Sequence, residues 1–364
     1  MNIRLEGARR SPDGAPELIE RGVPFGRTPD RQLVHLYTLR NGRGLVVRVM
    51  DYGATLVGIE APDRTGSIAQ VVLGAGEFEP YVDGFPAAGS TIGRVANRIA
   101  GAAFELDGRP HRVDANEGRN SLHGGDAGFA HRLWRYEPCA HASDATCARF
   151  RLTSDDGDGG YPGNVAVMVT FALTAENELR IEYDATCDRA TPLNLTNHAY
   201  FNLAGAGDVL DHELWADADG YTPIDRELIP TGAIESVAGT PFDFRTPRRI
   251  GARIAALEAD TRGYDHNLVL RRSRDAGAPC LRLRHRTNGR VLEVRTTEPG
   301  VQLYTANHFD HVVCWGGVRY PRHGGVCLET QHFPDAVHHP DWPSVILRPE
   351  IPFHSTTVYH FTTD

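Results

Sequence analysis

Nowhere do the 364 residues contain a run of the roughly 18 uninterrupted apolar residues that a membrane helix needs. The opening stretch MNIRLEGARRSPDGAPEL also lacks the apolar centre of a secretory leader, so a cytoplasmic location and no membrane partner are expected. A positive excess is missing too. The 38 Lys and Arg are outnumbered by 47 Asp and Glu, for a net charge of -9. No global field therefore gathers nucleic acid, and a neutral substrate fits better than a polyanion. The 6 cysteines (Cys139, Cys147, Cys187, Cys280, Cys314, Cys327) stand singly with no CxxC pair. That argues against a zinc knuckle and a dense disulfide framework, and they are read as reduced and mostly buried. The 17 histidines include His332 and the adjacent His338 and His339, but no HExxH or spaced Cys/His set occurs, so no metal is expected.

What is present favours a packed core. Hydrophobic residues make up 41%, with 14 Phe and 12 Tyr but only 3 Met, which excludes disorder throughout. Residues 1–31 are rich in Pro, Gly, Arg and Glu without periodicity and are expected to form a loosely ordered arm. No linker or composition shift divides residues 32–364, which are read as one domain. Period-two alternation recurs there. VAVMVTFAL and ELRIEYDA flank the turn Thr174-Ala175-Glu176-Asn177, and Leu179, Ile181 and Tyr183 share one strand face opposite Arg180, Glu182 and Asp184. Asp107-Gly108 and Asn288-Gly289 each suit a tight type I′ hairpin turn. Helical spacing is rare. The best helix candidate starts at Thr246-Pro247 and puts Ile250, Ile254 and Leu257 on one stripe. Many hairpins, few helices and no βα alternation indicate an all-β antiparallel sandwich.

Several segments carry unusual polar residues. Gly89 to Gly101 is glycine-rich and holds Asn97 and Arg98, yet it has neither the lysine of a P-loop nor dinucleotide spacing, so Arg98 also reads as an ordinary ion-paired arginine. In NSLHGG, His123 precedes two glycines that would let a ligand approach closely, although such a sequence is common in loops. PLNLTNHAYFNL alternates Leu193, Leu195 and Phe201 with Asn194, Thr196 and His198, and spends polar groups where plain packing would not need them. In GVCLETQHFPDA, Glu329 directly follows a short apolar strand. It reads either as a buried carboxyl with a raised pKa suited to a general base, or as a strand-end glutamate facing water. GYDHN and TTEPGVQLY add Asp265 and Gln302.

Taken in order, GRVANRI, NSLHGG, NLTNHAYFNL, GYDHN, TTEPGVQLYTAN and CLETQHFPDA resemble the aldose 1-epimerase family, or galactose mutarotases, from about Leu33 to Asp364. The resemblance implies a large supersandwich of mostly antiparallel strands with few short helices and a groove across one sheet. It implies His198 as general acid, Glu329 as general base, and sugar contacts from Asn97, Arg98, His123, Tyr200, Asp265 and Gln302. It further implies anomer interconversion of a free aldohexose without cofactor or metal, by a monomer or homodimer with a monosaccharide as its partner. One departure stands out: relatives often carry Asp-Lys where this chain has Ala130-His131, which touches loop packing and sugar preference.

Opening a cyclic hemiacetal requires a proton delivered to the ring oxygen while another leaves the anomeric hydroxyl. An imidazolium and a carboxylate suffice for both transfers. Two other readings stay open: an enzyme for hexose 6-phosphates, which would need further Arg or Lys aimed at the phosphate, and a sugar-binding sandwich without catalysis, which would not need both His198 and Glu329.

Overall fold

Along Glu178–Cys187 the alternation acts as expected: Leu179, Ile181 and Tyr183 are buried, while Arg180, Glu182 and Asp184 are partly exposed. The structure, a computed structural model, describes residues 17–18, 22–83, 87–139, 145–271 and 277–364. Among them this strand lies near the middle of a nine-stranded sheet, between Val165–Thr174 and Phe353–Thr363. The last of these also pairs with Arg290–Thr296, so the chain's final strand joins the two halves of the sheet.

A six-stranded sheet faces it, in the order Tyr200–Phe201, Val326–Gln331, Gly300–Tyr304, Asp265–Leu270, Ala218–Tyr221 and Glu235–Ser236. A third sheet is built on Leu33–Arg40, Val46–Met50 and Thr55–Pro62. One apolar cluster draws on all three sheets, through residues such as Ile59, Phe171, Ile181, Leu292, Leu303 and Leu328. Removal of this surface from water holds the layers together. The architecture is thus all-β and antiparallel, with Glu79–Val82 the single α-helical turn among the described residues. Among the same residues no helix is long and apolar enough to cross a membrane.

Some local expectations need correction. Asp107 and Gly108, at φ 50° and 74°, form the expected tight turn between Ala103–Leu106 and Arg109–Arg112. At Asn288-Gly289 the hairpin exists but the turn is longer. His285 N–H donates to Arg290 O, only Gly289 has positive φ, and the Asn288 side chain is used instead to brace Arg290 N–H and Leu203 O. The helix expected from Thr246 is absent. Ile250–Ala252 and Ile254–Leu257 are 3₁₀ turns broken at Arg253 (φ -133°, ψ 5°), although Ile250 and Leu257 are buried as their spacing demands. Cys139 and Cys147 form a disulfide, against the expectation of six reduced cysteines; Cys280, Cys314 and Cys327 are buried thiols outside any disulfide, and Cys187 is a partly exposed one. Of the arm over residues 1–31, residues 1–16 and 19–21 lie outside the described residues, and Val23–Arg27 pairs with Leu33–Arg40.

Candidate active site

The six-stranded sheet has two unlike faces, and strand register decides which side chain goes where. Val301, Leu303, Leu328 and Leu268 point into the apolar core. Their neighbours in sequence point the other way, where Glu329 pairs in register with Gln302, and Gln302 with Asn267. Two residues along the same strands, Cys327 pairs with Tyr304 and Tyr304 with Asp265, while Tyr200 pairs with Cys327 on the outer strand. Because side chains on a strand alternate, these residues share one face. Tyr200 and Cys327 are covered by a second apolar cluster that includes Phe309 and Tyr320. The remainder form a polar floor.

Glu329 is not at a strand end. It sits inside Val326–Gln331, only 2% exposed, and the water-facing reading fails. Its Oε2 has no hydrogen-bond partner, nor do Gln302 Oε1, Asn267 Oδ1 or either amide atom of Gln331. Buried polar atoms are rarely left unsatisfied in folded proteins, so a row of them on one face points to a polar ligand. Gln302 Nε2 donates to Asp265 Oδ1 at 2.7 Å.

His198 reaches the floor from the side. Leu193 and Leu195 anchor its segment in the core, and Asn194 exchanges hydrogen bonds with the main chain of His332 at 3.0 and 3.1 Å. Thr196–Asn197 pairs with Thr91–Ile92, and His198 N–H donates to Ser90 O at 3.0 Å. This holds His198 Nε2 at 3.7 Å from Glu329 Oε1. The Tyr200 ring lies 5.0 Å from the His198 ring, and His123 meets it edge-on at 5.3 Å.

Asn97 and His123 hold each other. The Asn97 N–H donates to His123 Nδ1 at 3.2 Å and the His123 N–H donates to Asn97 O at 2.9 Å, with both residues at positive φ. An accepting Nδ1 leaves Nε2 as the protonated nitrogen of His123. Of the two readings of the glycines after it, packing of the loop itself is the one their contacts support. A Cβ on Gly124 would collide with the Gly93 carbonyl, and one on Gly125 with the Asp114 side chain, so both allow the loop to close against its own protein. Arg98 is ion-paired, with two nitrogens donating to the Glu117 carboxylate at 2.6 and 2.7 Å, yet its side chain is only 9% exposed. Asp335, after the Glu329 strand, ties down the Arg98 segment: its N–H donates to Arg98 O and its Oδ1 accepts from Ala100 N–H.

Burial governs the charges. It pushes Glu329 well above the ordinary carboxylate range, helped by the nearby Asp265 charge and opposed by Arg98. It raises Asp265, against Arg98 and the Gln302 hydrogen bond. Burial lowers His198 to about 4, and lowers His123 well below its usual value with help from His198 and Arg98. His198, Cys327 and Glu329 bring nitrogen, sulfur and oxygen donors within 4.8 Å of one another. Cys327 Sγ faces Nδ1 of the ring at 3.5 Å, however, while Glu329 faces Nε2, so the imidazole lies between the two other donors.

Of the eight residues named from the sequence, Asp265, Gln302 and Glu329 share this sheet face, His198, His123 and Tyr200 are in ring contact beside it, and Asn97 and Arg98 lie on the segment that His123 and Asp335 hold. Residues 35–360 match the family model described as aldose 1-epimerase. The chain belongs to the aldose 1-epimerase family. It is similar to galactose mutarotase of Rattus norvegicus, 42% identical over 342 residues, which cover 93% of this chain and 97% of the relative. It is similar to aldose 1-epimerase of Escherichia coli K12, 38% identical over 92% of this chain and 97% of that one. The crystal structure of galactose 1-epimerase from Lactobacillus acidophilus NCFM superposes with a TM-score of 0.82 at 30% identity, covering 96% of this chain and 98% of that one. Membership makes the chain an enzyme, an isomerase of the mutarotase type.

Within this aldose 1-epimerase fold, Asn267, Gln331, Cys327 and Glu117 were not singled out from the sequence. The signal for three of them was available: Asn267 lies two residues after Asp265, and Cys327 and Gln331 lie two residues either side of Glu329. Period two alone places them beside the marked residues. Glu117 gave no such signal, because its partner Arg98 is 19 residues away.

Proposed function

We propose that this enzyme interconverts the α and β anomers of free aldohexoses such as glucose and galactose, with His198 as acid and Glu329 as base. The observation that carries the reading is the 3.7 Å separation of two buried, oppositely ionising groups, His198 Nε2 and Glu329 Oε1, above a floor of unpartnered amides. In the forward step Glu329 takes the proton of the anomeric hydroxyl, His198 gives a proton to the ring oxygen, and the bond from the anomeric carbon to that oxygen breaks. Rotation of the resulting aldehyde presents its other face, and the same two transfers run backwards on closure.

The charges support this direction. Imidazolium and carboxylate become imidazole and carboxylic acid on ring opening, and burial favours the neutral form of each. Arg98 acts oppositely, stabilising the carboxylate that must exist before it can accept a proton. Asn97, Arg98, His123, Tyr200, Asp265 and Gln302 are assigned to the sugar, His123 through its Nε2–H and Asp265 as an acceptor. Arg98 is already paired with Glu117 and stands near Asp265 and Glu329, a setting that disfavours a phosphate.

The test is polarimetry of freshly dissolved α-glucose and α-galactose, with glucose 6-phosphate alongside. Loss of rotation no faster than in buffer for both neutral sugars would refute the reading. A preference for the phosphate would replace it with the hexose 6-phosphate alternative.

A further inference from the structure

Arg98 and Glu117 meet edge to edge. Arg98 Nε donates to Glu117 Oε2 at 2.6 Å and Nη2 donates to Oε1 at 2.7 Å, so the carboxylate takes the whole Nε–Nη2 edge of the guanidinium. That edge is a fork whose geometry matches two oxygens of a carboxylate or a phosphate. With two of the five N–H donors spent inside the chain, two on Nη1 and one on Nη2 remain. Single hydroxyl oxygens can still use them.

The loop that presents Glu117 is tied down on every side. Asn116 grips the main chain of Leu122, accepting from its N–H at 2.7 Å and donating to its carbonyl at 3.0 Å. Glu117 and Asn120 exchange main-chain hydrogen bonds at 3.1 and 2.9 Å, and Asn120 Oδ1 accepts from Gly101 N–H at 2.9 Å, close behind Arg98 in the chain. Asn120 Nδ2 and Arg119 Nε both donate to Glu227 Oε2, which joins this loop to the next. The carboxylate therefore stays where the guanidinium needs it.

Charge follows the same plan. Arg98 is buried, whereas Glu117 is partly exposed and borders a surface cavity of about 360 Å³. The charges of Asp265, Glu117 and Glu329 all act on Arg98, and Glu117 is the one in direct ion-pair contact. A guanidinium cancelled at contact distance attracts a ligand anion weakly, and ionised Asp265 and Glu329 repel it. A neutral sugar meets neither penalty.

We propose that Glu117 is a positioning residue that acts through Arg98 to reserve the site for uncharged sugars: it fills the anion-binding edge of the guanidinium, cancels its charge, and leaves the other N–H groups for sugar hydroxyls. The consequence is selection against sugars that carry a carboxylate or a phosphate. The proposal rests on the reading of the chain as an enzyme of free aldohexoses with Arg98 at the sugar.

The experiment measures anomer exchange at equilibrium by NMR, above the uncatalysed rate, on glucose, glucuronate and glucose 6-phosphate. It compares the wild type with Glu117→Gln, Glu117→Ala and Glu227→Gln, and titration calorimetry with glucose and glucuronate reads the same preference without turnover. Glu117→Gln keeps the shape and one hydrogen bond but loses the charge, so the ratio of kcat/KM on either anion to that on glucose should rise by about tenfold or more, with glucose itself changed by no more than about threefold. Glu117→Ala also empties the edge and should raise the ratio further. Glu227→Gln removes a carboxylate of the same loop pair whose contacts are with Arg119 and Asn120, and it should leave the ratio within about twofold of wild type.

An unmoved ratio in both Glu117 variants would overturn the proposal, as would an equal rise in Glu227→Gln, which would assign the selection to the general charge of the rim. Should Glu117→Ala fail to fold, the comparison of Glu117→Gln with Glu227→Gln decides. A wild type that prefers either anion defeats this proposal and the aldohexose reading together. A wild type that exchanges none of the three sugars defeats the aldohexose reading alone, and the calorimetric ratio then decides on Glu117.

Discussion

Glu329 and Gln302 are register partners on neighbouring antiparallel strands, so the two side chains leave the sheet side by side, each with one oxygen that has no protein partner. Replacing Glu329 by Gln keeps this packing and removes only the capacity to take a proton. Turnover of α-galactose should fall by about 10²- to 10⁴-fold, the usual share of a general base, with KM changed by no more than a few-fold. Polarimetry decides, and near-normal turnover would show that the base lies elsewhere.

Asp265 acts on Glu329 through charge as well as holding Gln302. In Asp265→Asn the negative charge that helps raise Glu329 is gone, so Glu329 ionises at lower pH. The rise of kcat with pH, which follows ionisation of the base, should therefore move to lower pH, while KM increases about tenfold from loss of a charged acceptor. A pH profile of kcat that does not move would separate Asp265 from the base.

Acid should unfold the protein partly through histidines outside the site. His266 packs against Phe242 on the opposite face of the sheet from Asp265, and burial lowers it to about 4. Above pH 6.5 neither the native nor the unfolded form of such a residue is charged. Between pH 6.5 and about 4 the unfolded chain takes a proton that the native one refuses, and stability falls as pH falls. The buried carboxyls of Asp265 and Glu329 act in the opposite sense, so the useful quantity is a difference. Urea unfolding at pH 7 and pH 5 should show a smaller loss for His266→Gln than for the wild type.

Gly124→Ala tests the loop that carries His123. Its φ of 87° disfavours alanine, and the added methyl group would meet the Gly93 carbonyl. A stability loss of about 2 kcal/mol or more is expected. Displacement of His123 should also raise KM for galactose more than it lowers kcat. Unchanged urea midpoint and KM would show that the loop can relax.

Sheet content was readable because hairpin strands are close in sequence and one face of each is buried: Leu179, Ile181 and Tyr183 mark their strand without knowledge of any partner. Pairing across distance was not readable. Nothing local announces that Glu178–Cys187 lies beside Phe353–Thr363, since any strand with one apolar face suits the same neighbour. At Thr246 the apolar spacing was true and the helix was not, because 3₁₀ turns satisfy the same burial. The disulfide escaped because two cysteines eight residues apart carry no signature. At the site, residues that break an apolar pattern, such as His198 and Glu329, stood out. Those with ordinary apolar or loop character, Cys327 and Glu117, did not, because their role depends on a neighbour that only folding supplies.

Two hydrogen bonds, from Asp335 N–H to Arg98 O and from Ala100 N–H to Asp335 Oδ1, fasten the Arg98 segment to the end of the Glu329 strand across 235 residues at Ala100. A contiguous fragment shorter than that span lacks one side of this tie. Loss of activity in a denaturation experiment should consequently coincide with loss of the sheets themselves, making anomer exchange a direct gauge of whether each molecule is intact.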